Sequence, residues 1–395
     1  MTRRRVVFLI NSLAGGGAER VLCTLLRHSE AARADFDMTL VLLDQEPAQN
    51  EPPSWMAVRQ LNCAGSTWRS VAAARAVLGE LKPDLTLSFL TRANIANVLS
   101  GGAWRRLISA RVNTSAHFGD PLRGALPRHG VRMLYPRADK IIAVSEDVAE
   151  DLCANFGARA ARVVAIPNPI DIAFVRARAA EAPDVEIDEP FVLGVGRLVK
   201  LKNFNLLVRA FAESGWEGRL VIAGEGAERE RLIETAHACG VADRLVLPGF
   251  VRNPYALMRR AALFVLPSGG EGFPNALVEA MCVGAPVVAA NCRSGPSEIL
   301  AESPRSSVAE AVVRAAHGVL APPGAAGLLT EALRLMRDPA IRADYAAKGP
   351  ARAGAFDAAG IAARYWTEIR AALEAGPEVS RGGARPLRPP RRSAI

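Results

Sequence analysis

A short apolar run, a glycine-bearing turn and an amphipathic helix follow one another twice in this chain, about 185 residues apart. The first copy is Arg5-Val6-Val7-Phe8-Leu9-Ile10, then Leu13-Ala14-Gly15-Gly16-Gly17, then residues 18–26 with apolar side chains at helical spacing. The second is Phe191-Val192-Leu193-Gly194-Val195-Gly196, then a basic loop, then a predicted helix over 203–213. Further apolar runs stand at 38–43, 85–89, 140–144, 220–223, 244–247, 263–266 and 286–289. A run apolar throughout suits a strand buried on both faces. Its alternation with helices specifies parallel sheets covered by helices on both sides. The fold class expected is α/β, with two doubly wound Rossmann-like domains facing across a cleft. Pro167-Asn168-Pro169 stops any regular element and marks the crossing between them. The expected domains are 1–168, completed by a late helix over 355–375, and 169–354. A disordered basic tail is expected over 376–395.

Composition narrows the classes. Half the residues are apolar and 23% are charged, which excludes a wholly disordered chain. No apolar run approaches the ~18 residues of a membrane span. The run from Val6 to Ile10 is too short for a secretory signal, so the mature chain is expected to begin near Met1 and to be cytoplasmic. The six cysteines show no Cys-x-x-Cys spacing and read as small buried hydrophobes, and no metal site is expected from the scattered histidines. The net charge of +9 is uneven. Residues 92–140 hold nine basic and two acidic side chains. This stretch is either a solvated face or a surface that attracts polyanions, an anionic membrane before nucleic acid. With 6% aromatics and no nucleic-acid motif, no nucleic-acid partner is expected.

The densest segment is Pro267-Ser268-Gly269-Gly270-Glu271-Gly272-Phe273-Pro274-Asn275-Ala276-Leu277-Val278-Glu279. A strand feeds a glycine-rich turn and then a helix, with Pro274 expected in its first turn. Free N–H groups at Asn275, Ala276 and Leu277 make a site for phosphate. Glu271 and Glu279 would bracket that helix start and reach different parts of one ligand. The alternative makes them a loop carboxylate and a solvated helix residue. Arg197 and Lys202, near Lys200 after the strand 191–196, either neutralise phosphate charge or are ordinary surface charges. A dinucleotide fingerprint lacks its third glycine, because Val199 stands there. Gly15-Gly16-Gly17 is a tight turn or a place of close ligand approach.

Together these motifs resemble the retaining glycosyltransferases of family 4, which have the GT-B fold. The matching pieces are Gly-Gly-Ala-Glu-Arg at 16–20, Val-Ser-Glu-Asp at 144–147, Pro-Asn-Pro-Ile-Asp at 167–171 and Gly-Arg-Leu-Val at 196–199. They continue with Lys-Asn at 202–203, Ala-Gly-Glu-Gly at 223–226, Leu-Pro-Gly-Phe-Val at 247–251, the Glu-x7-Glu segment 271–279 and Gly-Pro-Ser-Glu-Ile at 295–299. The resemblance spans about residues 5–375. It implies that Arg197 and Lys202 hold the donor diphosphate, that Glu279 grips the nucleotide ribose and that Glu271 lies by the donor sugar. Pro274 and the backbone N–H groups of Asn275, Ala276 and Leu277 match phosphate and sugar contacts. Gly249, Phe250 and Val251 match the stretch beside the base. Gly16 and Gly17 match the loop near the diphosphate and acceptor, and Glu298 matches a carboxylate at the far donor wall.

On the acceptor side, residues 108–117 are similar to a segment of lipid-linked oligosaccharide and lipopolysaccharide transferases, with Arg111 and Asn113 the matching positions. His117 stays open between a site residue and an ordinary loop histidine. The resemblance implies a hexosyl transfer from a nucleotide diphosphate sugar, with uridine the expected base, that retains anomeric configuration and uses neither cofactor nor metal. The acceptor implied is a glycolipid or polyprenyl-diphosphate-linked saccharide of a bacterial surface polysaccharide, and the place implied is the inner face of the cell membrane. A nucleotide-sugar epimerase of the same architecture and a non-enzymatic sugar-nucleotide or polyanion binder are the competing expectations.

Overall fold

Fourteen strands, each backed by helices, build two seven-stranded sheets in a computed structural model that describes residues 3–118, 124–188 and 190–375. The expected tail lies outside the described residues. The first sheet contains β1 (Arg4–Ile10), β2 (Phe36–Leu42), β3 (Ala57–Gln60), β4 (Leu85–Phe89), β5 (Arg105–Ala110), β6 (Lys140–Ala143) and β7 (Val163–Ala165). Their order is β3-β2-β1-β4-β5-β6-β7, and every pairing is parallel. The second contains β8 (Phe191–Val195), β9 (Arg219–Ala223), β10 (Leu245–Val246), β11 (Leu263–Leu266), β12 (Val287–Ala290), β13 (Val313–Ala315) and β14 (Gly318–Ala321), in the order β10-β9-β8-β11-β12-β14-β13. The sequence pattern predicted parallel pairing, and β13 departs from it. It runs antiparallel to β14, because only Ala315, His317 and their neighbours form the turn and no crossover helix intervenes.

The central strands are buried along their length, as continuous apolar runs require. All five residues of β4 are buried, and so are the first four of β8. The edge strand β3 is exposed throughout, and its Ala-Val-Arg-Gln sequence carries no such run. β3 and β5 escaped the sequence pattern because polar or charged residues break their apolar stretches, and β7 because three residues are too few to mark a strand.

In each sheet the chain reverses its winding once, between β1 and β4 and again between β8 and β11. Loops at the carboxyl ends of such neighbours part to opposite sides and leave a crevice. Gly15-Gly16-Gly17 follows β1, Gly196-Arg197 follows β8, and the segment 267–279 follows β11. The two crevices are apposed. Gly17 lies beside Asn275, its hypothetical Cβ 3.7 Å from Asn275 Nδ2.

The chain passes between the sheets at 166–171 and returns at 354–358. These passages run side by side, with Ile170 N–H donating to Phe356 O at 2.9 Å and Ala358 N–H to Ile170 O at 3.0 Å. The returning helix Ala358–Glu374 then packs on the first sheet, starting three residues later than the predicted 355 because Gly354–Phe356 forms a 3-10 turn. Trp366 stacks on Phe36 and meets Phe8 edge-on, and its Nε1 donates to Ser29 Oγ at 2.8 Å. Replacing Trp366 by Ala removes a buried ring and one hydrogen bond, and should cost about 3–5 kcal/mol in denaturant unfolding. A loss below about 1 kcal/mol, the scale of a lone surface change, would show that this helix does not complete the first sheet.

Candidate active site

Glu279 occupies the second turn of the helix Asn275–Cys282 and is only 4% exposed. A solvated helix carboxylate is therefore excluded. Its Oε1 lies 2.6 Å from Arg20 of the first half, and Arg20 also donates to the Tyr255 hydroxyl at 3.1 Å. Burial pushes the Glu279 carboxyl up, and the Arg20 guanidinium opposes that shift. Arg20 is held firmly charged, chiefly by Glu279.

Glu271 sits in the loop before that helix, where Lys202 Nζ donates to its Oε1 at 2.6 Å. Both side chains are mostly covered. Lys202 belongs to the 3-10 turn Lys200–Lys202 after β8, so a pair formed across two loops of one sheet brings together the ends of β8 and β11. Gly269 N–H donating to Leu201 O at 2.8 Å ties the same loops through the backbone. Arg197 is exposed at the end of β8, and its side chain forms no hydrogen bond or ion pair among the described residues, although its carbonyl accepts from Val199 N–H at 2.9 Å. It lies close enough to His117 that its charge, after burial, depresses the imidazole pKa. His117 thus faces the same gap from the first half.

The helix start differs from expectation in two details. Pro274 lies just before the helix rather than inside its first turn. The Leu277 N–H is not free, because it donates to Pro274 O at 3.1 Å. The N–H groups of Asn275 and Ala276, in the first turn, have no partner within the helix. The Asn275 side chain accepts from Asn168 Nδ2 at 2.5 Å, which ties this helix to the crossing segment.

Other expected residues are held in place by the closed junction. Glu298 bridges the halves. Both its oxygens accept N–H groups of the first half, from Glu146 at 2.9 Å and from Asp147 at 3.2 Å. It caps the helix Glu146–Phe156 from across the junction, and Asp147 Oδ2 in turn accepts from Ser294 N–H at 3.2 Å. Arg111 turns inward. Its guanidinium stands over Phe89 and donates to Asn168, to Ser109 Oγ at 3.3 Å and to Tyr365 Oη at 3.2 Å. Asn113 caps the short helix Thr114–His117 by accepting from Ala116 N–H at 3.0 Å, and its amide donates to Ser294 Oγ at 3.3 Å. In this closed arrangement neither Arg111 nor Asn113 is offered to an acceptor.

Gly249 carries a positive φ of 79° and its carbonyl accepts from Gly224 N–H at 2.8 Å, which fixes the loop that displays Phe250. Phe250 is 67% exposed, whereas the Val251 side chain is buried in the core and presents only backbone. Gly16 precedes the helix Gly17–Arg27 in extended backbone, with its carbonyl accepting from Arg20 N–H at 3.2 Å. Arg20 and Tyr255 were not singled out from sequence. The signal for Arg20 was present, since a cation in the first turn of a helix opposes the helix dipole and asks for a reason.

Two loops from opposite halves touch most closely at Gly272. A Cβ there would lie 2.0 Å from the carbonyl oxygen of Arg111. Gly272→Ala should therefore hold the halves apart while each folds. Small-angle scattering should report a larger radius of gyration with unfolding temperature little changed, and an unaltered scattering curve would refute this contact as the limit to closure.

Comparison with known proteins agrees with the two-sheet fold. The Glycosyltransferase Family 4 model matches residues 15–174, and the Glycosyl transferases group 1 model matches residues 177–352. A Campylobacter jejuni N-acetylgalactosamine-N,N'-diacetylbacillosaminyl-diphospho-undecaprenol 4-alpha-N-acetylgalactosaminyltransferase is 27% identical over 91% of this chain and 97% of its own length. The lipopolysaccharide core biosynthesis glycosyltransferase LpsD of Rhizobium meliloti is 26% identical over 69% of this chain and 71% of its own. In fold, the chain resembles Anabaena HepE, solved in complex with UDP, with a TM-score of 0.72 at 20% identity, covering 93% of this chain and 100% of that one. The chain is a glycosyltransferase of the GT-B fold, joining a Glycosyltransferase Family 4 domain to a Glycosyl transferases group 1 domain.

Proposed function

We propose that this glycosyltransferase moves a hexosyl group from a UDP-sugar to a glycolipid or polyprenyl-diphosphate-linked saccharide, retaining the anomeric configuration. The observation that supports the reading best is the Lys202–Glu271 pair between the loops that follow β8 and β11, just before the helix Asn275–Cys282 that carries the buried Glu279. Two cations and two unpaired N–H groups suit a diphosphate. The flanking carboxylates suit the hydroxyls of a ribose at Glu279 and a sugar at Glu271. The exposure of the Phe250 ring supports a contact with the base.

In the reaction the bond from the anomeric carbon to the diphosphate oxygen breaks, and the acceptor hydroxyl oxygen bonds to that carbon from the same face. The hydroxyl proton passes to the leaving diphosphate. Arg197 and Lys202 meet the charge that grows there, a task a metal performs elsewhere. Lys202 is paired with Glu271 before the donor arrives, so the diphosphate enters by sharing a cation already held in position. The acceptor class rests on the names of the Campylobacter and Rhizobium relatives.

No helix among the described residues is long and apolar enough to cross a membrane. The reading therefore takes the protein to its acceptor as a peripheral protein on the inner face of the cell membrane. The helix Ala125–Leu134 lies within the basic stretch, exposes Leu126 (82%) and Met133 (50%) along one stripe and carries the exposed Arg128 and Arg132 on its other sides. Such a helix offers apolar side chains for insertion and charge for attraction to anionic lipid.

Arg197→Ala and Lys202→Ala should each lower turnover about 100-fold or more, the loss found when one donor to a developing oxyanion is removed. Release of UDP should require acceptor lipid, and a sugar nucleotide changed without acceptor would favour an epimerase instead. On vesicles, the protein should sediment with anionic but not neutral lipid at low salt, and Leu126→Asp with Met133→Asp should abolish it. Equal binding to both lipids would remove the electrostatic argument.

A further inference from the structure

We infer that Arg20 is a positioning residue for the donor site, holding Glu279 oriented and ionised from the opposite half of the molecule, so that the nucleotide ribose meets a charged acceptor only where the two halves are closed. The inference rests on the reading that Glu279 receives the ribose hydroxyls.

Helix energetics give no reason for Arg20. It stands in the first turn of the helix Gly17–Arg27, where the dipole disfavours a cation. Its guanidinium leaves its own half altogether. One nitrogen lies 2.6 Å from Glu279 Oε1 and another donates to Tyr255 Oη at 3.1 Å, so the fork is fixed by two groups of the second half. The Arg20 side chain keeps 39% of its exposure while that of Glu279 keeps 6%. The cation thus reaches in from the cleft side to a carboxylate water barely touches. Glu279 Oε2 makes no hydrogen bond among the described residues and remains the oxygen for a ligand hydroxyl.

The groups facing Glu279 are few. Tyr255 comes from the helix Pro254–Arg260, and its hydroxyl is pushed well above its ordinary pKa, first by burial and then by Glu279. Cys282, on the same helix as Glu279, is pushed up to about 12, again chiefly by burial. Both are neutral near pH 7. Arg27 and Asp171 line the same cavity, and Arg176 of the helix Ile172–Ala179 donates to Cys282 O at 3.2 Å, but Arg20 is the charge paired with the carboxylate. Without it, burial acts on Glu279 unopposed and pushes its carboxyl further toward the neutral form. A protonated Glu279 accepts poorly from a hydroxyl. Because Arg20 belongs to the other half, separation of the halves withdraws this support, and donor affinity becomes coupled to closure.

The test is UDP titration by calorimetry on the full chain at about pH 6 to 9, with the wild type, Arg20→Ala, Arg20→Lys and Glu279→Gln. Wild-type affinity should change little over this range. Arg20→Ala should bind at least ~10-fold more weakly near pH 7, the scale of a lost hydrogen bond to a charged group. Its affinity should recover as pH rises, because base deprotonates the carboxyl that has lost its cation. Arg20→Lys should restore most of the affinity and the flat profile. In the Glu279→Gln background, Arg20→Ala should cost nothing further.

Three results would overturn the inference. One is unchanged or tighter UDP binding in Arg20→Ala, which would make Arg20 an occupant of the ribose position. Another is a loss equal at every pH and not restored by Lys, which would reduce Arg20 to a structural contact. The third is wild-type binding that survives Glu279→Gln undiminished, which would sink the donor reading of Glu279 and the inference with it.

Discussion

A parallel strand returns to its sheet only through a crossover, and here that crossover is nearly always a helix. Every loop at one edge of a sheet is then a strand-to-helix turn, and the residues that leave a strand arrive together at that edge. In this glycosyltransferase the rule operates twice. Gly15-Gly16-Gly17 after β1 and Arg111-Val112-Asn113 after β5 meet Gly196-Arg197 after β8 and the loop 267–274 after β11. The candidate site is the seam between two such edges, and neither half holds all of it.

The seam has two physical characters. Near the chain crossings it is apolar. One hydrophobic core runs from Ile108 and Tyr135 of the first half through Ile170 and Val175 to Phe264 and Phe273 of the second, with Phe273 edge-on to Phe356 at 5.3 Å. Toward the ligand gap it is polar. Glu298 caps a helix of the first half while Asp147 binds the Ser294 N–H of the second, and Arg20 reaches Glu279. The apolar part keeps the halves joined. The polar contacts exchange with water at modest net cost when they part. Such a division suits a molecule that must admit a donor and then close upon it.

How far the sequence disclosed this can be argued residue by residue. The β1 and β8 starts were legible because a strand buried on both faces has to be apolar throughout. β3 and β7 were not, because an exposed edge or a three-residue strand leaves no such mark. The pairing of Lys202 with Glu271 was half legible. The residue types after β8 and β11 pointed to a charged ligand, but nothing in the spacing put them 2.6 Å apart. Glu298 was read at the far donor wall and Asn113 on the acceptor side, and in this structure both cap helices and bridge the halves. A side chain's local motif cannot disclose which distant N–H it will satisfy.

The sequence by itself determined two parallel-sheet units, their order, and the loops where chemistry would gather. These follow from hydrophobic periodicity and from glycine and proline, which act over a few residues. Only the tertiary structure decided which charges meet. Arg20 and Glu279 are far apart in the chain, and their 2.6 Å pairing depends on how two independently wound sheets are apposed. Burial, not residue type, makes that pair consequential. A carboxylate in water needs no partner, whereas one nearly excluded from water needs a cation to stay charged.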